Sequence, residues 1–468
     1  MKTKEKNKLR FIAPLLAFIA IFFLAGCGLK STPPKRYPIK LEVWGLFDDS
    51  DAFNTIIDTY RKANPNVIGV EYKKLTPDTY QKDLLDALAA GQGPDIFLIQ
   101  NTWLPSFEDK IVAATPDVMT EQHFRAEFPD VVAADFVDQG KVYAAPLSVD
   151  SLALYYNKDL LNQAGITAPP ANWDDFVADV KKMTKIDGTG NIAQSGAALG
   201  TAYNIKRSTD ILNLLMMQEN TQMLDDKQLR ANFDQATGSA SAGGVNYPGE
   251  NALNFYTQFA KANVVSYCWN KDMHYSLDAF SEGTAAMMLD YSWDISTIRD
   301  KAPKLNFAIA PVPQLNPSAP VNFPNYWAFA VAKNKTSTVA AAGSQQAAQI
   351  PNDVRVAEAW NFIKFLTDKP LVAAGQNPST VYDPAAVFLQ KTGHPAARKD
   401  LIEKQKTDVD LGAFAAGNLV AKDWKEVDAP AIEAIFATMI DSVNKGAMTP
   451  ADALQTAAVQ VTQLMSNR

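Results

Sequence analysis

The stretch GKVYAAPLSVDSLALYYNKDL, residues 140–160, decides how the chain is organised. It follows a turn signal at Gln139-Gly140, runs through apolar, β-branched and aromatic residues without helical spacing, and ends in the polar Asn157-Lys158-Asp159. This pattern predicts an extended segment that crosses from one lobe to another. Because strands and helices alternate before it and helix-rich sequence follows it, we expect the functional site to lie between two lobes.

Length and composition indicate a globular chain of two lobes with extensions. The 468 residues are too many for one compact core, and with 47% hydrophobic and 20% charged residues the chain is not disordered. The formal charge is −7, and it becomes −11 without residues 1–26, which carry five basic groups and one glutamate. We expect no nucleic-acid binding from so acidic a chain, because displacing counterions requires basic surface.

The N-terminal residues predict a targeting signal. Five basic residues within the first ten precede an apolar run at Phe11–Leu24, and Leu24-Ala25-Gly26-Cys27 is a small-residue site that ends in cysteine. The pattern resembles the bacterial lipoprotein signal, which implies removal of residues 1–26, lipidation of Cys27 and a tether over residues 27–38. The alternative is a single N-terminal membrane helix. With Cys27 lipidated, Cys268 has no disulfide partner and is expected to serve packing.

The residues after the tether alternate between strand and helix patterns, which predicts an α/β lobe. Strands are expected at Ile39–Trp44, Val67–Lys73 and Pro94–Gln100, separated by helices. Right-handed crossovers put the first strand between the other two, and ligands bind beyond the carboxyl ends of such strands. The candidate binding residues on the loops at that edge are Trp44, Phe47, Asp48, Asn101, Thr102 and Trp103. Trp44 and Trp103 also fit an interpretation as core residues near strand ends.

Further candidates lie in the second half of the chain. Residues 280–290 predict an apolar strand that ends at Asp290, with Tyr291 and Trp293 immediately after it. Tyr326–Ala332 predicts a second crossing, which includes Trp327. Aromatic rings beside carboxylates and amides suit a sugar, whose CH faces lie against rings while its hydroxyls bind Asp, Asn and Gln. The competing interpretation is that these aromatic residues belong to the core.

No motif for catalysis, metal binding or a cofactor is found in the sequence. His123, His274 and His394 are far apart and lack metal-site spacing. We find no Gly-x-Ser-x-Gly elbow, no Cys-x-x-Cys and no phosphate-binding glycine loop. We therefore expect no catalytic residue, no metal and no cofactor. A glycosidase remains open, because it needs only two carboxylates brought together in space.

Several short motifs, taken in their order, resemble the extracellular solute-binding proteins of ABC importers, in the group typified by maltose-binding protein. They are the lipoprotein signal, the opening strand–helix units, and the segments Gly91–Ile96, Val142–Pro146, Tyr155–Asp159 and Gly283–Met287 with Trp293. The resemblance covers nearly the whole chain after residue 26. It implies an α/β, two-lobe periplasmic-binding-protein fold of type II, with hinge strands that join the lobes around a ligand cleft.

The same resemblance implies a division of the chain and a function. The first lobe would hold residues 39–146 and 325–378, and the second lobe residues 147–324 and 379–468. Trp293 would stack on a sugar ring beside Asp290 and Tyr291, Tyr156 would follow the hinge, and Trp327 would follow the second crossing. The protein would capture a small solute, a carbohydrate, by hinge closure and deliver it to an ABC permease. The lipid on Cys27 would hold it at the cell surface or the periplasmic face of the membrane.

Two features leave the solute open. Thr102 and Trp103 stand where sugar-binding relatives commonly have charged polar residues, and no arginine cluster is present for a phosphate. The alternatives are a lipoprotein glycosidase or lyase that uses paired carboxylates, and a binding protein for a glycerol phosphate, a polyamine or a peptide. A binding protein that serves a chemoreceptor would use the same residues.

Overall fold

Two β-sheets organise the chain from Ile39 onward, and each forms the centre of one lobe. The first lobe has a five-stranded sheet and the second lobe a three-stranded sheet. In spatial order the first sheet consists of Val67–Lys74, Ile39–Gly45, Ile96–Gln100, Trp327–Val331 and Ala144–Ala145. The second sheet consists of Met287–Asp290, Ala153–Asn157 and Phe307–Pro311.

The computed structural model describes residues 37–237, 245–335, 338–340, 347–372, 376–377 and 380–466. The predicted signal sequence, Cys27 and the tether as far as residue 36 lie outside this part of the chain. Within it, no helix combines the length and the apolar character that a membrane crossing requires.

The first lobe has the strand order expected from the sequence. Ile39–Gly45 lies between Val67–Lys74 and Ile96–Gln100 and runs parallel to both. Both faces of Ile96–Gln100 are largely covered, which explains its unbroken run of apolar residues. Trp327–Val331 lies antiparallel to Ile96–Gln100, with Trp327 opposite Gln100. This pairing brings a residue from late in the chain to the carboxyl edge of the early strands.

The segment at residues 140–160 crosses between the lobes, as its sequence predicts. Ala144–Ala145 belongs to the first sheet and Ala153–Asn157 to the second. A second crossing runs beside it, because the Leu152 N–H donates to the Phe323 carbonyl (3.2 Å) and the Asn325 N–H to the Asp150 carbonyl (2.9 Å). This crossing precedes the predicted Tyr326–Ala332, whose strand Trp327–Val331 already belongs to the first sheet. The prediction placed the second crossing too far along the chain, because an apolar strand and an extended crossing segment have the same pattern of apolar residues.

The prediction of one strand over residues 280–290 is wrong in its first half. Helix Ser276–Ser281 takes the first two residues of that range, residues 282–286 form a turn and a connection, and the strand is Met287–Asp290. Gly283 takes a left-handed conformation with φ of 75°, which only glycine adopts easily, and it ends the helix. Phe280 is buried from the helix, so the apolar run serves two elements in succession.

The C-terminal helices divide between the lobes. Pro384–Thr392 packs against Asp51–Ala63 and Asn352–Thr367, which belong to the first lobe. We therefore propose that the first lobe continues beyond the predicted boundary at residue 378. Ala429–Asn444 and Pro450–Ser466 pack together and against Pro248–Thr257 in the second lobe. The core of the second lobe also contains Cys268, whose buried thiol has its pKa raised to about 12.

The elements have the following bounds. The helices span Asp51–Ala63, Pro77–Ala89, Leu104–Phe107, Glu121–Glu127, Asp130–Phe136, Lys158–Gln163, Trp173–Met183, Ser208–Gln218, Pro248–Thr257, Ser276–Ser281, Asp294–Lys301, Asn352–Thr367, Pro384–Thr392, Lys399–Gln405, Gly412–Asn418, Ala429–Asn444 and Pro450–Ser466, with a 3-10 turn at Gln258–Ala260. Short antiparallel pairs join Val137–Asp138 with Lys141–Val142, Lys185–Ile186 with Ile192–Gln194, and Thr338–Ala340 with Ala347–Gln349.

Candidate functional site

A cavity of about 430 Å³, which we call the cleft, lies between the two lobes beside the crossing segments. The first lobe lines it with Phe47, Asp48, Gln100 and Trp327, and the second lobe with Arg207 and Trp293. Residues of the crossings, including Asp150, Asn325 and His394, complete it. A cavity of this volume that combines rings with a few polar groups is typical of a small-molecule site.

The first wall of the cleft is made of packed aromatic rings. The Phe47 ring meets the Trp327 ring edge-on, with ring centres 5.9 Å apart, and Phe47 is 52% exposed. Behind Trp327 lie Trp103 at 5.0 Å and Tyr80 at 5.9 Å, both edge-on to it. Trp103 in turn stacks on Phe107 at 5.3 Å. Trp327 is thus held by neutral ring contacts, while part of its ring faces the cleft.

The second wall carries a tryptophan with one face open to the cleft. Trp293 stacks on the buried Tyr291 with ring centres 4.5 Å apart. The guanidinium carbon of Arg207 lies 5.0 Å from the Trp293 ring centre and 5.2 Å from the Tyr291 ring centre. These two distances and the distance between the ring centres are nearly equal, so the three groups form a nearly equilateral triangle. Arg207 therefore lies beside the stacked pair. The outer face of Trp293, which is 37% exposed, is left toward the cleft.

Asp290 holds Arg207 in place. Arg207 Nε donates to Asp290 Oδ1 at 3.2 Å, and Asp290 is only 1% exposed. Its other oxygen, Oδ2, has no hydrogen-bond partner within the part of the chain that the structure describes. Burial raises the pKa of Asp290 to about 7, although the charge of Arg207 opposes this shift. The predicted ligand acceptor therefore supports the second wall from behind.

Asp48 pairs with a histidine from the C-terminal part of the chain. Its Oδ1 lies 2.9 Å from His394 Nε2, and both residues line the cleft. Burial by itself disfavours the imidazolium, but the hydrogen bond and negative charge of Asp48 outweigh it, so the pKa of His394 is raised. This contact ties the loop after the first strand to the residues that follow helix Pro384–Thr392.

Asp150 fixes the crossing segment to the second wall. Its Oδ2 accepts hydrogen bonds from the Ser292 N–H (2.9 Å) and the Ser292 hydroxyl (2.6 Å), and its Oδ1 accepts one from the Ser151 N–H (2.9 Å). Burial raises the pKa of Asp150 to about 7 despite these hydrogen bonds. Since Ser292 precedes Trp293, the crossing and the open tryptophan are mechanically connected.

A smaller cavity of about 110 Å³, which we call the recess, adjoins the cleft. The two cavities share Gln100, Arg207 and Asn325 in their linings. The predicted Asn101 and Thr102 line the recess together with three acidic residues, Asp210, Glu426 and Glu433. Asn101 also donates to Asp423 Oδ2 at 2.6 Å, which ties the first lobe to a loop before helix Ala429–Asn444.

The predicted site residues thus fall into three groups. Phe47, Asp48, Trp293 and Trp327 meet in the cleft, and Asn101 and Thr102 meet in the recess. The remaining five, Asp290 among them, line neither cavity. Trp44 is buried with its Nε1 donating to Glu42 Oε1 (2.8 Å), Tyr156 lies in a strand against the core of the second lobe, and Trp103 and Tyr291 support Trp327 and Trp293.

Sequence reasoning missed several lining residues. Gln100 ends a predicted strand, and Asp150 is a polar residue inside the predicted crossing, so both carried a local signal. Arg207, Asn325 and Glu426 carried none, because each becomes part of a cavity only through contacts with distant segments. Across the described ranges, no group of three or more His, Cys, Asp or Glu is arranged to hold a metal ion.

A family model matches residues 44–373 and is described as "Bacterial extracellular solute-binding protein". A candidate binding protein from Brucella abortus is 26% identical over 268 residues, which are 56% of this chain and 59% of that protein. A maltotriose-binding protein from Pyrococcus abyssi is 22% identical over 335 residues, which are 71% of this chain and 63% of that protein. These matches therefore span less than two thirds of the length of either relative.

Two solved structures share the fold over nearly all of this chain. The cyclic α-maltosyl-1,6-maltose binding protein from Arthrobacter globiformis superimposes with a TM-score of 0.70 at 18% identity, covering 92% of this chain and 100% of that one. A sugar-binding protein from Xanthomonas citri gives 0.69 at 19% identity, covering 92% and 98%. At this identity the likeness shows the two-lobe fold that the sequence motifs predicted.

Proposed function

The chain belongs to the family of bacterial extracellular solute-binding proteins, and from that premise we propose that it captures a carbohydrate in the cleft and delivers it to an ABC import permease. The lobes close over the sugar by bending at the crossing segments near Asp150 and Asn325. We propose that a lipid on Cys27 holds the protein on the extracytoplasmic side of the membrane.

The observation that carries the carbohydrate assignment is the placement of rings on both walls of one cleft. The outer face of Trp293 is open on one wall, and Phe47 and Trp327 stand on the other. A pyranose ring presents CH groups that pack on such faces, and Asp48, Gln100 and Asn325 supply partners for its hydroxyls. The names of the Pyrococcus abyssi relative and of both structural neighbours, which refer to sugars, support the same class.

Three other functions use the same residues. A glycosidase or lyase would need two carboxylates beside the scissile bond, and the relatives that match this chain are named for binding. A binding protein for a glycerol phosphate, polyamine or peptide would keep the fold and change the solute. A chemoreceptor could replace the permease as the partner without any change to the cleft.

A thermal-shift screen of the chain without residues 1–27 tests the proposal. The ligands are mono- and oligosaccharides, polyols, amino acids, polyamines and phosphate esters. A ligand at a hundred times its dissociation constant stabilises the native state by about 2.7 kcal/mol, which moves the melting temperature measurably. A shift confined to one sugar class, with the sugar recovered intact, is expected. A shift only with a charged non-sugar class would overturn the carbohydrate assignment, and recovery of cleaved sugar would favour the enzyme.

Delivery and anchoring have separate tests in cells. Deleting the gene for this chain should abolish uptake of the sugar that the screen identifies, and the intact chain should restore uptake. Cells grown with a labelled fatty acid should incorporate the label into the intact chain and into a Cys268→Ala control but not into Cys27→Ala, which distinguishes a lipid on Cys27 from retention of the apolar run at residues 11–24. Normal uptake in the deletion strain would exclude delivery to an importer, and an unlabelled intact chain would exclude the lipid anchor.

A further inference from the structure

The recess beside the cleft has an unusual balance of charge. Among the described residues, three acidic side chains line it, Asp210, Glu426 and Glu433, and Arg207 is the one basic side chain in its lining. Arg207 is already engaged, because its Nε binds Asp290 and its guanidinium lies against the rings of Tyr291 and Trp293. The carboxyl groups of the recess therefore outnumber the positive charge that is available to them.

Two polar groups at the recess have no partner in the part of the chain that the structure describes. Glu426 is only 8% exposed and makes no hydrogen bond or ion pair there. Thr102, also 8% exposed, has a buried hydroxyl oxygen that is likewise without a hydrogen-bond partner. Buried polar groups are normally satisfied, and an unsatisfied one costs free energy unless a ligand completes it.

Glu426 is the acidic group of the recess whose charged form would gain most from a neighbouring cation. Its pKa is raised well above the usual range by burial first and then by the negative charges of Asp210, Asp423 and Glu433. Burial also raises the pKa of Asp210, whose Oδ2 accepts a hydrogen bond from the Tyr291 hydroxyl at 3.0 Å. The ammonium group of a bound ligand would lower the pKa values of these carboxyl groups, because it stabilises each of them in its charged form.

We infer that the recess is a subsite for a protonated amine and that the solute is an amine-bearing carbohydrate, such as an amino sugar. This inference rests on the proposed function, since the sugar ring would occupy the cleft between the aromatic walls. The recess, at about 110 Å³, has room for an amino substituent and its immediate surroundings, and it opens beside Gln100, Arg207 and Asn325. The ammonium would bind Glu426 and Asp210, while Thr102 would accept one of its hydrogen bonds.

Matched pairs of saccharides test the inference directly. Isothermal titration compares glucosamine with glucose, galactosamine with galactose, and cellobiose and maltose with their amino counterparts, and putrescine serves as an amine without a ring. Each ligand is titrated into the wild type, Glu426→Gln and Glu403→Gln. Glutamine keeps the shape of glutamate and removes the charge, and Glu403 lies on an exposed helix face as the matched control. Circular dichroism and thermal unfolding confirm that each variant folds.

The expected result is that one amino saccharide binds at least about tenfold more tightly than its neutral partner. Glu426→Gln should abolish that difference, whereas Glu403→Gln should preserve it. Equal affinities within every pair, or preference for the neutral sugar, would overturn the amine subsite while the carbohydrate function stands. If putrescine binds and no saccharide does, both the carbohydrate function and the amino-sugar assignment are overturned. The same follows if none of the ligands binds.

Proton release provides a readout that a merely structural role of Glu426 would not move. At about pH 6.5 the amine is already protonated, so binding should force Glu426 to ionise and release up to about one proton. Titrations in phosphate and in ACES, which both buffer at this pH and whose ionisation enthalpies differ, measure that number. The neutral sugar should release none, and the Glu426→Gln variant should release fewer protons on binding the amino sugar than the wild type does. Equal proton release by both members of a pair would contradict the inference.

Discussion

The two walls of the cleft present similar rings but hold them by different forces. On the first wall, Trp327 is held by edge-on contacts with Phe47, Trp103 and Tyr80, which are neutral. On the second wall, Trp293 rests on Tyr291 and beside Arg207, whose position depends on the buried Asp290. The comparison teaches that the ring contacts of Trp327 should be insensitive to pH and salt, while the support of Trp293 is an electrostatic assembly whose shape follows protonation.

Trp327→Ala should give the largest effect and should act on stability. Its ring fills space between three aromatic neighbours, so its removal leaves a cavity in the first wall. We expect a loss of about 3 kcal/mol in the free energy of unfolding, the low end for tryptophan because the ring is partly exposed. Urea unfolding at pH 5 and pH 8 should give the same loss. A loss that changes with pH would break the distinction between the walls.

Arg207→Ala should destabilise the second wall in a pH-dependent way. At pH 8 it removes the cation that favours the charged form of the buried Asp290, which should cost about 2 kcal/mol. At pH 5 the cost should be smaller, because Asp290 has a raised pKa and takes up a proton instead. Urea unfolding at both values measures the difference. Arg230→Ala, which removes an exposed pair with Asp225, should change little at either pH.

Trp293→Ala should act on binding more than on folding. The loss of a stacking face should weaken the affinity for the sugar by about 1–3 kcal/mol, measured by isothermal titration. Trp293→Phe, which keeps a smaller face, should lose less. Since Trp293 is partly exposed, the melting temperature of the free protein should change little. Unchanged affinity in a folded Trp293→Ala variant would remove this residue from the site.

Asp150→Asn should produce the smallest change, a shallower dependence of stability on pH. The folded protein raises the pKa of Asp150 to about 7 and that of Asp423 to about 6, mainly through burial. Between about pH 4 and pH 7 the folded chain therefore binds protons that the unfolded chain has lost, so stability falls as pH rises through this window.

The amide that replaces the Asp150 carboxyl does not titrate, and the slope should fall by about 0.7 kcal/mol per pH unit, half of one full proton. Chemical unfolding at a series of pH values measures it. The Asp423→Asn variant should also reduce the slope of stability against pH, with its effect nearer pH 6. An unchanged slope in Asp150→Asn would show that this carboxyl does not link the crossing to pH.

Much of the fold and part of the site could be predicted because the signals are local. Alternation of strand and helix patterns, an apolar run at the crossing, and loops after strand ends are read from neighbouring residues. Four of the residues chosen by these signals, Phe47, Asp48, Trp293 and Trp327, line the cleft, and their part in binding stays a prediction. Trp44 and Tyr156 line neither cavity, since position near a strand end does not say which face of the sheet a side chain enters.

The sequence by itself determined the fold class, the crossing at residues 140–160 and the aromatic character of the site, because hydrophobic period and turn chemistry act over a few residues. Only the tertiary structure decided which charges meet. Arg207, Asp290 and Glu426 come from three distant parts of the chain, and the sequence around Arg207 and Glu426 gives no sign of a site. Burial and proximity, which no local pattern encodes, give Asp290 and Glu426 their raised pKa values.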